Sequence, residues 1–326
     1  MVTGEDVLRE KIEALRGLAE APDAHRDALL AYLEDPHGYV VAKAAEIVGE
    51  AGWDDCESEL VDAYARLEVD PVKRDPGCKA KASIADALNR LGSQEAELFR
   101  RAARHRQLEP SWGPPIDTAV PLRINGAAGL ARLSDRDFLF EAATLLNDAE
   151  PNARIGIVEV IDYFGGDGAE LLLRMKVLAG DAEPEVLAEC FAGLMRVSPD
   201  RSLDLVAGAL GSDDDYLVES AALAIAESRS EAGFLALKRH YEANRFEASA
   251  AAMLLPISLT RHEAAFEFLL ELIAEGPPAI AHESLTALEI HASNDSLVRS
   301  VAQAVAARGE PDLSAVFRSR FPTERA

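Results

Sequence analysis

The chain has 326 residues, of which 48% are apolar and 28% charged, and its formal net charge is −24. This composition excludes a disordered chain, and the length favours two domains or one elongated array over a single compact core. The charge argues against binding nucleic acid or an anionic membrane, because Lys and Arg are what hold those surfaces; it favours a basic protein as partner.

The cysteines and the first residues predict a cytoplasmic location. Cys56, Cys78 and Cys190 are odd in number, lie far apart and form no CxxC motif, which is typical of reduced thiols. The acidic start of the chain lacks the layout of a signal peptide. No apolar run approaches the roughly 20 residues that cross a bilayer. The acidity can also be interpreted as serving solubility alone.

Helices are predicted along the whole chain. Residues 5–18 have an amphipathic pattern, so residues 1–24 are predicted to form an N-terminal cap. A repeat follows, in which an acid or Ser precedes an apolar residue by five positions and small or apolar pairs come at fixed offsets after it. A weaker copy without an acid covers residues 246–254. The other copies start at Asp35, Asp75, Asp117, Asp148, Asp181, Ser212 and Glu275.

Each repeat copy is interpreted as a helical hairpin. Apolar residues at i, i+4, i+5 and i+8 form one stripe on a helix, and the acid before that helix is expected to cap its free N–H groups. A second amphipathic segment lies between successive copies. Residues 296–307 and 313–317 predict closing helices, so residues 293–326 are expected to form a C-terminal cap.

The repeat resembles the HEAT repeat of the short bacterial type, since it combines Asp-Pro, an apolar residue, Arg and pairs of small residues. The resemblance covers residues 25–292 and implies an all-α, right-handed α-solenoid of about eight hairpins, forming one domain over residues 1–326. It also implies a ladder of hydrogen bonds between neighbouring repeats. Leu187, Val218 and Ala281 replace the Arg, so the ladder is expected to fade towards the C-terminus. The ladder positions are Asp75 with Lys81, Asp117 with Arg123, and Asp148 with Arg154.

Residues 107–121 interrupt the repeat pattern as an inserted loop. This segment is longer than the usual helix connection of about 2–8 residues, is rich in proline and contains Trp112, one of two tryptophans. A Trp exposed on a stiff loop is a good anchor for a binding partner. The alternative is that Trp112 folds back and covers the repeat core.

The resemblance further implies that the second helix of each hairpin lines a concave face. Acids there would stack in successive repeats as a stripe that suits a basic partner. The alternative is an ordinary solvated helix face. The acids concerned are Glu159, Asp162, Glu189, Glu219 and Glu283.

The sequence contains no pattern typical of a catalytic, metal or cofactor site. The seven histidines show no HExxH spacing, and there is no GxSxG motif. We therefore predict a non-catalytic protein–protein interaction scaffold or adaptor without cofactors. One alternative is an inhibitor or immunity-type protein that masks a basic partner. Another is a chromophore-handling enzyme, because the repeats also resemble those of phycobilin lyases.

Overall fold

The computed structural model describes residues 4–246 and 248–321, and in this part of the chain the protein is all-α. One pair of very short strands, Leu108–Glu109 (β1) and Ile116–Asp117 (β2), joins antiparallel within the segment predicted as a loop. No helix of the described residues is both long and apolar enough to cross a membrane. Residues 1–3 and 322–326 of the predicted caps, and residue 247 of the weak repeat copy, lie outside the described residues.

The chain divides into two compact units, Met1–Leu172 and Leu173–Ala326. Both consist mainly of helices joined by short turns, and the first unit also contains the β1–β2 hairpin. The helices that begin in the first unit are α1 Gly4–Ala19, α2 Arg26–Ala31, α3 Gly38–Ala51, α4 Glu57–Leu67, α5 Pro71–Arg74, α6 Lys79–Arg90, α7 Ala96–Arg104, α8 Val120–Arg132, α9 Phe138–Leu145, α10 Pro151–Phe164 and α11 Gly166–Ala179.

The second unit continues the alternation of helices. They are α12 Pro184–Val197, α13 Pro199–Gly208, α14 Asp215–Glu227, α15 Glu231–Ala243, α16 Leu254–Leu259, α17 Glu263–Glu275, α18 Pro278–Leu288, α19 Asp295–Arg308 and α20 Pro311–Arg320. Six-residue α16 is preceded by a 3₁₀ segment, Ala248–Met253. The arrangement of both units as one array over residues 1–326 stays a prediction.

Helices that carry the repeat motif pack on one another in chain order. In the first unit α3 contacts α6, α6 contacts α8, and α8 contacts α10; in the second α12 contacts α14, α14 contacts α16, and α16 contacts α18. Their predicted apolar stripes are buried, as Ile84 and Leu88 on α6 and Ala221 and Ile225 on α14 show. The apolar stripe of a single helix would be exposed to water, so each motif helix buries its stripe against the neighbouring motif helices.

Most of the repeat acids do not cap helices in the way the sequence predicts. Asp148 accepts the N–H of Glu150 at 2.9 Å, and Asp181 accepts that of Glu183 at 2.9 Å. Each acid lies three residues before its helix, so it closes a turn with the residue two positions later. Asp75 does reach helical N–H groups, those of Ala80 at 2.8 Å and Lys81 at 3.0 Å.

Two glycines let α7 and α8 approach closely. A Cβ on Gly126 would lie 2.7 Å from the carbonyl oxygen of Phe99 and closer still to the backbone nitrogen of Ala103. A Cβ on Gly129 would overlap the ring of Phe99. The absence of side chains at these positions therefore sets the distance between the two helices.

We expect Gly126→Ala to destabilise the protein by about 2 kcal/mol, because α7 and α8 must move apart to admit the methyl group. Chemical denaturation followed by circular dichroism measures this change. Gly17→Ala is the matched control, since a Cβ at Gly17 in α1 meets nothing within 4 Å. The control should raise stability by up to about 1 kcal/mol, because alanine favours helix. Similar effects at both positions would contradict the close-approach interpretation.

Candidate functional site

A buried ion network occupies the middle of the first unit. The guanidinium of Arg123, 1% exposed, lies between two carboxylates: Nη1 donates to Asp117 Oδ2 at 2.7 Å, and Nε lies 3.1 Å from Asp148 Oδ2. Arg106, 46% exposed, reaches the same carboxylates at 3.3 and 2.8 Å. Asp148 precedes the next motif helix along the chain, so Arg123 links two successive repeats.

The carboxyl groups of this network stay ionised. Burial alone would raise the pKa of Asp148, but hydrogen bonds from Arg106 and from the backbone of Glu150 outweigh it and lower that pKa. Burial likewise opposes ionisation of Asp117, yet N–H groups of Ala119 and Gln107 and the side chain of Arg123 hold its pKa below the usual value. The charges are satisfied internally, which indicates a structural role.

The other predicted ladder residues make different contacts. The ammonium of buried Lys81 donates to Gln107 Oε1 at 2.6 Å and lies 3.0 Å from His105 Nε2. Burial and the charge of Lys81 lower the pKa of His105, so its ring is neutral at pH 7. Arg154 donates to the backbone oxygens of Asp148 and Ala149 at 2.8 and 3.3 Å.

The same polar network holds the base of the β1–β2 hairpin. Gln107 Nε2 donates to the carbonyl of Asp75 at 2.8 Å and to Glu109 Oε1 at 2.7 Å. Glu109 Oε1 also accepts the N–H of Gly77 at 2.6 Å and the hydroxyl of Thr118 at 2.9 Å. The hairpin is therefore fixed to the preceding repeat by partly buried hydrogen bonds, and its base is rigid.

Trp112 lies at the tip of this hairpin and is fully exposed, with a relative exposure of 110%. The tip is stiffened by prolines on both sides and by Ser111, whose hydroxyl donates to the carbonyl of Pro114 at 2.6 Å and accepts the N–H of Gly113 at 3.1 Å. Trp53 differs, since it is buried and donates to Asp23 at 2.8 Å. The alternative in which Trp112 covers the repeat core is wrong.

The predicted acidic residues lie on four motif helices, so their expected position on the second helix of each hairpin is wrong. Glu159 and Asp162 lie on α10, where exposed Glu159 lines a small cavity of 300 Å³ beside Tyr163. Glu189 is half-buried on α12. The structure brings Glu219 on α14 and Glu283 on α18 to one groove in the second unit.

This groove, here called the α14–α18 groove, has a volume of 1260 Å³. Its floor is apolar and includes Met253, Leu254, Leu255 and Ile290. No Lys or Arg is found among its lining residues in the described part of the chain. The acids that line it are Asp213, Asp215, Glu219, Glu283 and Glu289.

A degenerate repeat explains why the groove exists. The copy between α14 and α18 is the weak one, predicted over residues 246–254 without a starting acid. Instead of an α-helix, Ala248–Met253 form a 3₁₀ segment, and the motif helix α16 begins only at Leu254 and has six residues. Pro256 has no N–H and is compatible only with the first turn of a helix, and the 3₁₀ segment Ala248–Met253 precedes it. Full-length α14 and α18 thus flank a shortened neighbour. The sequence analysis did not predict Asp213, Asp215 or Glu289 as site residues. The weak repeat copy lacks its starting acid, and this irregularity was the signal that could have indicated a groove here.

The thiols offer no activated nucleophile. Cys56, Cys78 and Cys190 are all free and buried. Burial raises the pKa of Cys78 and of Cys190 to about 12, so both are protonated at neutral pH. Within residues 4–246 and 248–321, no three His, Cys, Asp or Glu side chains are grouped to hold a metal ion.

Comparisons with known proteins leave the family open. No family model matches the chain, and no curated protein matches it. Among solved structures it is similar to the crystal structure of an engineered protein from the Northeast Structural Genomics Consortium, with 19% identity, a TM-score of 0.37, and coverage of 93% of this chain and 90% of that one. This TM-score does not establish a common fold. The fold of the described residues is that of an all-α protein.

Proposed function

We propose that the protein is a non-catalytic, cytoplasmic scaffold or adaptor that binds a basic protein partner. We further propose that its helices form a right-handed α-solenoid of HEAT-like hairpins over residues 1–326. The observation that carries the functional proposal is Trp112, which is presented to solvent on a hairpin whose base is held by hydrogen bonds to Asp75 and Gly77.

A rigid exposed Trp favours binding for two reasons. Its indole buries a large area against a partner, and Trp is enriched among the residues that dominate binding energy. The braced hairpin also lowers the entropy lost on association, because the loop is ordered before the partner arrives. Because the exposed indole makes no buried contact, it does not contribute to the stability of the folded chain.

Charge supports a basic partner. The chain carries −24 net charges, and a field of that sign attracts cations and repels nucleic acid. The acids of the α14–α18 groove add a local concentration of negative charge in the second unit. An inhibitor that masks a basic protein is a special case of this proposal. In that case the protein has one main partner, and binding abolishes the activity of that partner.

We expect Trp112→Ala to leave stability unchanged within about 0.5 kcal/mol, because the ring makes no buried contact. Partner binding should weaken by roughly 30-fold or more, the loss typical of a central aromatic anchor. Affinity purification from native cell extract with both baits, followed by mass spectrometry, identifies the partner whose recovery depends on the ring. Titration of the purified partner into wild type and Trp112→Ala measures the change in affinity. Higher salt should weaken binding to both proteins.

Phe140→Ala is the matched control for this experiment. Phe140 is an exposed aromatic on α9 of the same unit, 73% accessible, and does not lie on the hairpin. Its removal should leave the partner bound. If Trp112→Ala lowers thermal stability by several degrees while binding persists, or if no partner depends on the ring, the proposed function is wrong.

A further inference from the structure

We propose that the α14–α18 groove binds a short amphipathic helix of the partner, with an apolar stripe flanked on both sides by Lys or Arg. This inference rests on the proposed function and names the chemistry of a second contact. It is argued from the floor, the rims and the size of the groove.

The groove floor offers apolar surface that the fold leaves uncovered. Leu255 on α16 is 43% exposed and Ile290 beyond α18 is 51% exposed, although both line a concave site. Burying such groups against an apolar stripe is favourable in proportion to the area removed from water. The polar groups of a partner would lose their hydration there without compensation, so the centre of the groove selects apolar side chains.

The rims carry negative charge on both sides of that floor. Because α16 packs between α14 and α18, Asp215 and Glu219 on α14 face the groove from one side, and Glu283 on α18 faces it from the other. Glu289 accepts a hydrogen bond from Arg320 at 2.9 Å. Asp213, Asp215, Glu219 and Glu283 form no ion pair with any described Lys or Arg.

An apolar centre between two acidic rims is complementary to an amphipathic helix with basic residues on both sides of its apolar stripe. A helix with apolar residues at i, i+3, i+4 and i+7 has a single apolar stripe, and basic residues beside the stripe face both rims. An extended chain can also align apolar side chains on one face, but its alternate residues then point to the opposite face, so basic residues do not flank the apolar row on both sides. A polyamine would satisfy the acids and leave the floor wet.

The groove has the size that a helix needs. An α-helix about 10 Å across and three turns long, roughly 16 Å, occupies on the order of 1250 Å³. The groove volume is 1260 Å³. The two volumes are of the same order, so the groove is large enough for a short helix of about two or three turns.

The test uses a labelled helical peptide of about five turns, with a leucine stripe flanked by lysines, titrated into the full chain by fluorescence anisotropy. We expect saturable one-to-one binding that weakens as salt rises from about 50 to 200 mM. A scrambled peptide of the same composition, and one with Glu in place of each Lys, should bind at least roughly tenfold more weakly. Spermine should compete poorly.

Variants locate the binding site. Glu219→Lys with Glu283→Lys should weaken the peptide about tenfold, and Ile290→Ser about fivefold. The charge control is Glu267→Lys with Glu271→Lys, at exposed acids of α17 that do not line the groove; the apolar control is Leu235→Ser on α15. Both controls should stay within about twofold of the wild type.

The inference is overturned if no saturable binding occurs, if the scrambled peptide or spermine binds equally well, or if groove and control variants behave alike. Failure here is separable from failure of the proposed function. A Trp112-dependent partner that the groove variants bind normally would refute the helix site and leave the scaffold role intact. Peptide binding at the groove without any Trp112-dependent partner would support the helix site and refute the proposed function.

Discussion

Arg123→Ala is expected to lower the free energy of unfolding by about 3–5 kcal/mol, the typical cost of removing one partner from a buried ion network. Asp148 is fully buried and Asp117 nearly so, and both would face each other without the guanidinium that separates them. Arg123 also donates to the carbonyl of His105 at 3.0 Å, which would lose that bond. Chemical denaturation monitored by circular dichroism measures the loss.

Arg106→Ala is the matched control, because Arg106 contacts the same two carboxylates from a half-exposed position. Its removal should cost about 1–2 kcal/mol, less than that of Arg123, because water can replace a half-exposed guanidinium beside Asp148 but not a buried one. The pKa values of both acids are lowered. Their contribution is therefore complete above their ordinary pKa and disappears as pH falls through the lowered values. Arg123→Ala should flatten this acid dependence. Equal effects of the two substitutions would show that burial of Arg123 is irrelevant.

Ala221→Glu is expected to destabilise the second unit by more than about 3 kcal/mol. Ala221 is fully buried in the stripe of α14, between motif helices α12 and α16. A carboxylate there has no partner, so it must be desolvated or pull the helices apart. Thermal unfolding followed by circular dichroism should show an earlier transition, and hydrogen exchange should locate the loss of protection to α12, α14 and α16.

Ala232→Glu carries the same substitution at an exposed position in the first turn of α15. A carboxylate near a helix N-terminus is neutral or slightly stabilising, so this control should unfold at the wild-type temperature or above it. Unchanged stability in Ala221→Glu would mean that the inferred phase of the stripe is wrong. It would also remove the basis for placing Glu219 beside the groove, because both residues lie on α14.

Local pattern was sufficient to predict the helices. The predicted N-terminal helix over residues 5–18 is observed as Gly4–Ala19, and the one over residues 296–307 as Asp295–Arg308. Such elements depend on residues three or four positions apart within one helix, which a sequence displays directly. The ladder was less predictable. Lys81 is directed to Gln107, 26 positions away, and no short-range pattern specifies that contact.

Two features of the candidate surfaces were decided only by tertiary contacts. Whether Trp112 points outward or folds back depends on how residues 75–77 hold the base of its hairpin. The α14–α18 groove depends on which helices flank the weak repeat, since Glu219 and Glu283 are 64 positions apart and line one groove because α14 and α18 both pack against short α16.

The amino-acid sequence by itself determined the all-α class, the approximate helix positions and the buried stripe. Each follows from the hydrophobic periodicity of a single helix and from the preference of proline for its first turn. Only the tertiary structure decided which polar groups pair across repeats and which apolar groups stay exposed. Those outcomes depend on how closely neighbouring helices approach, as at Gly126, and that distance is set by residues far apart in the chain.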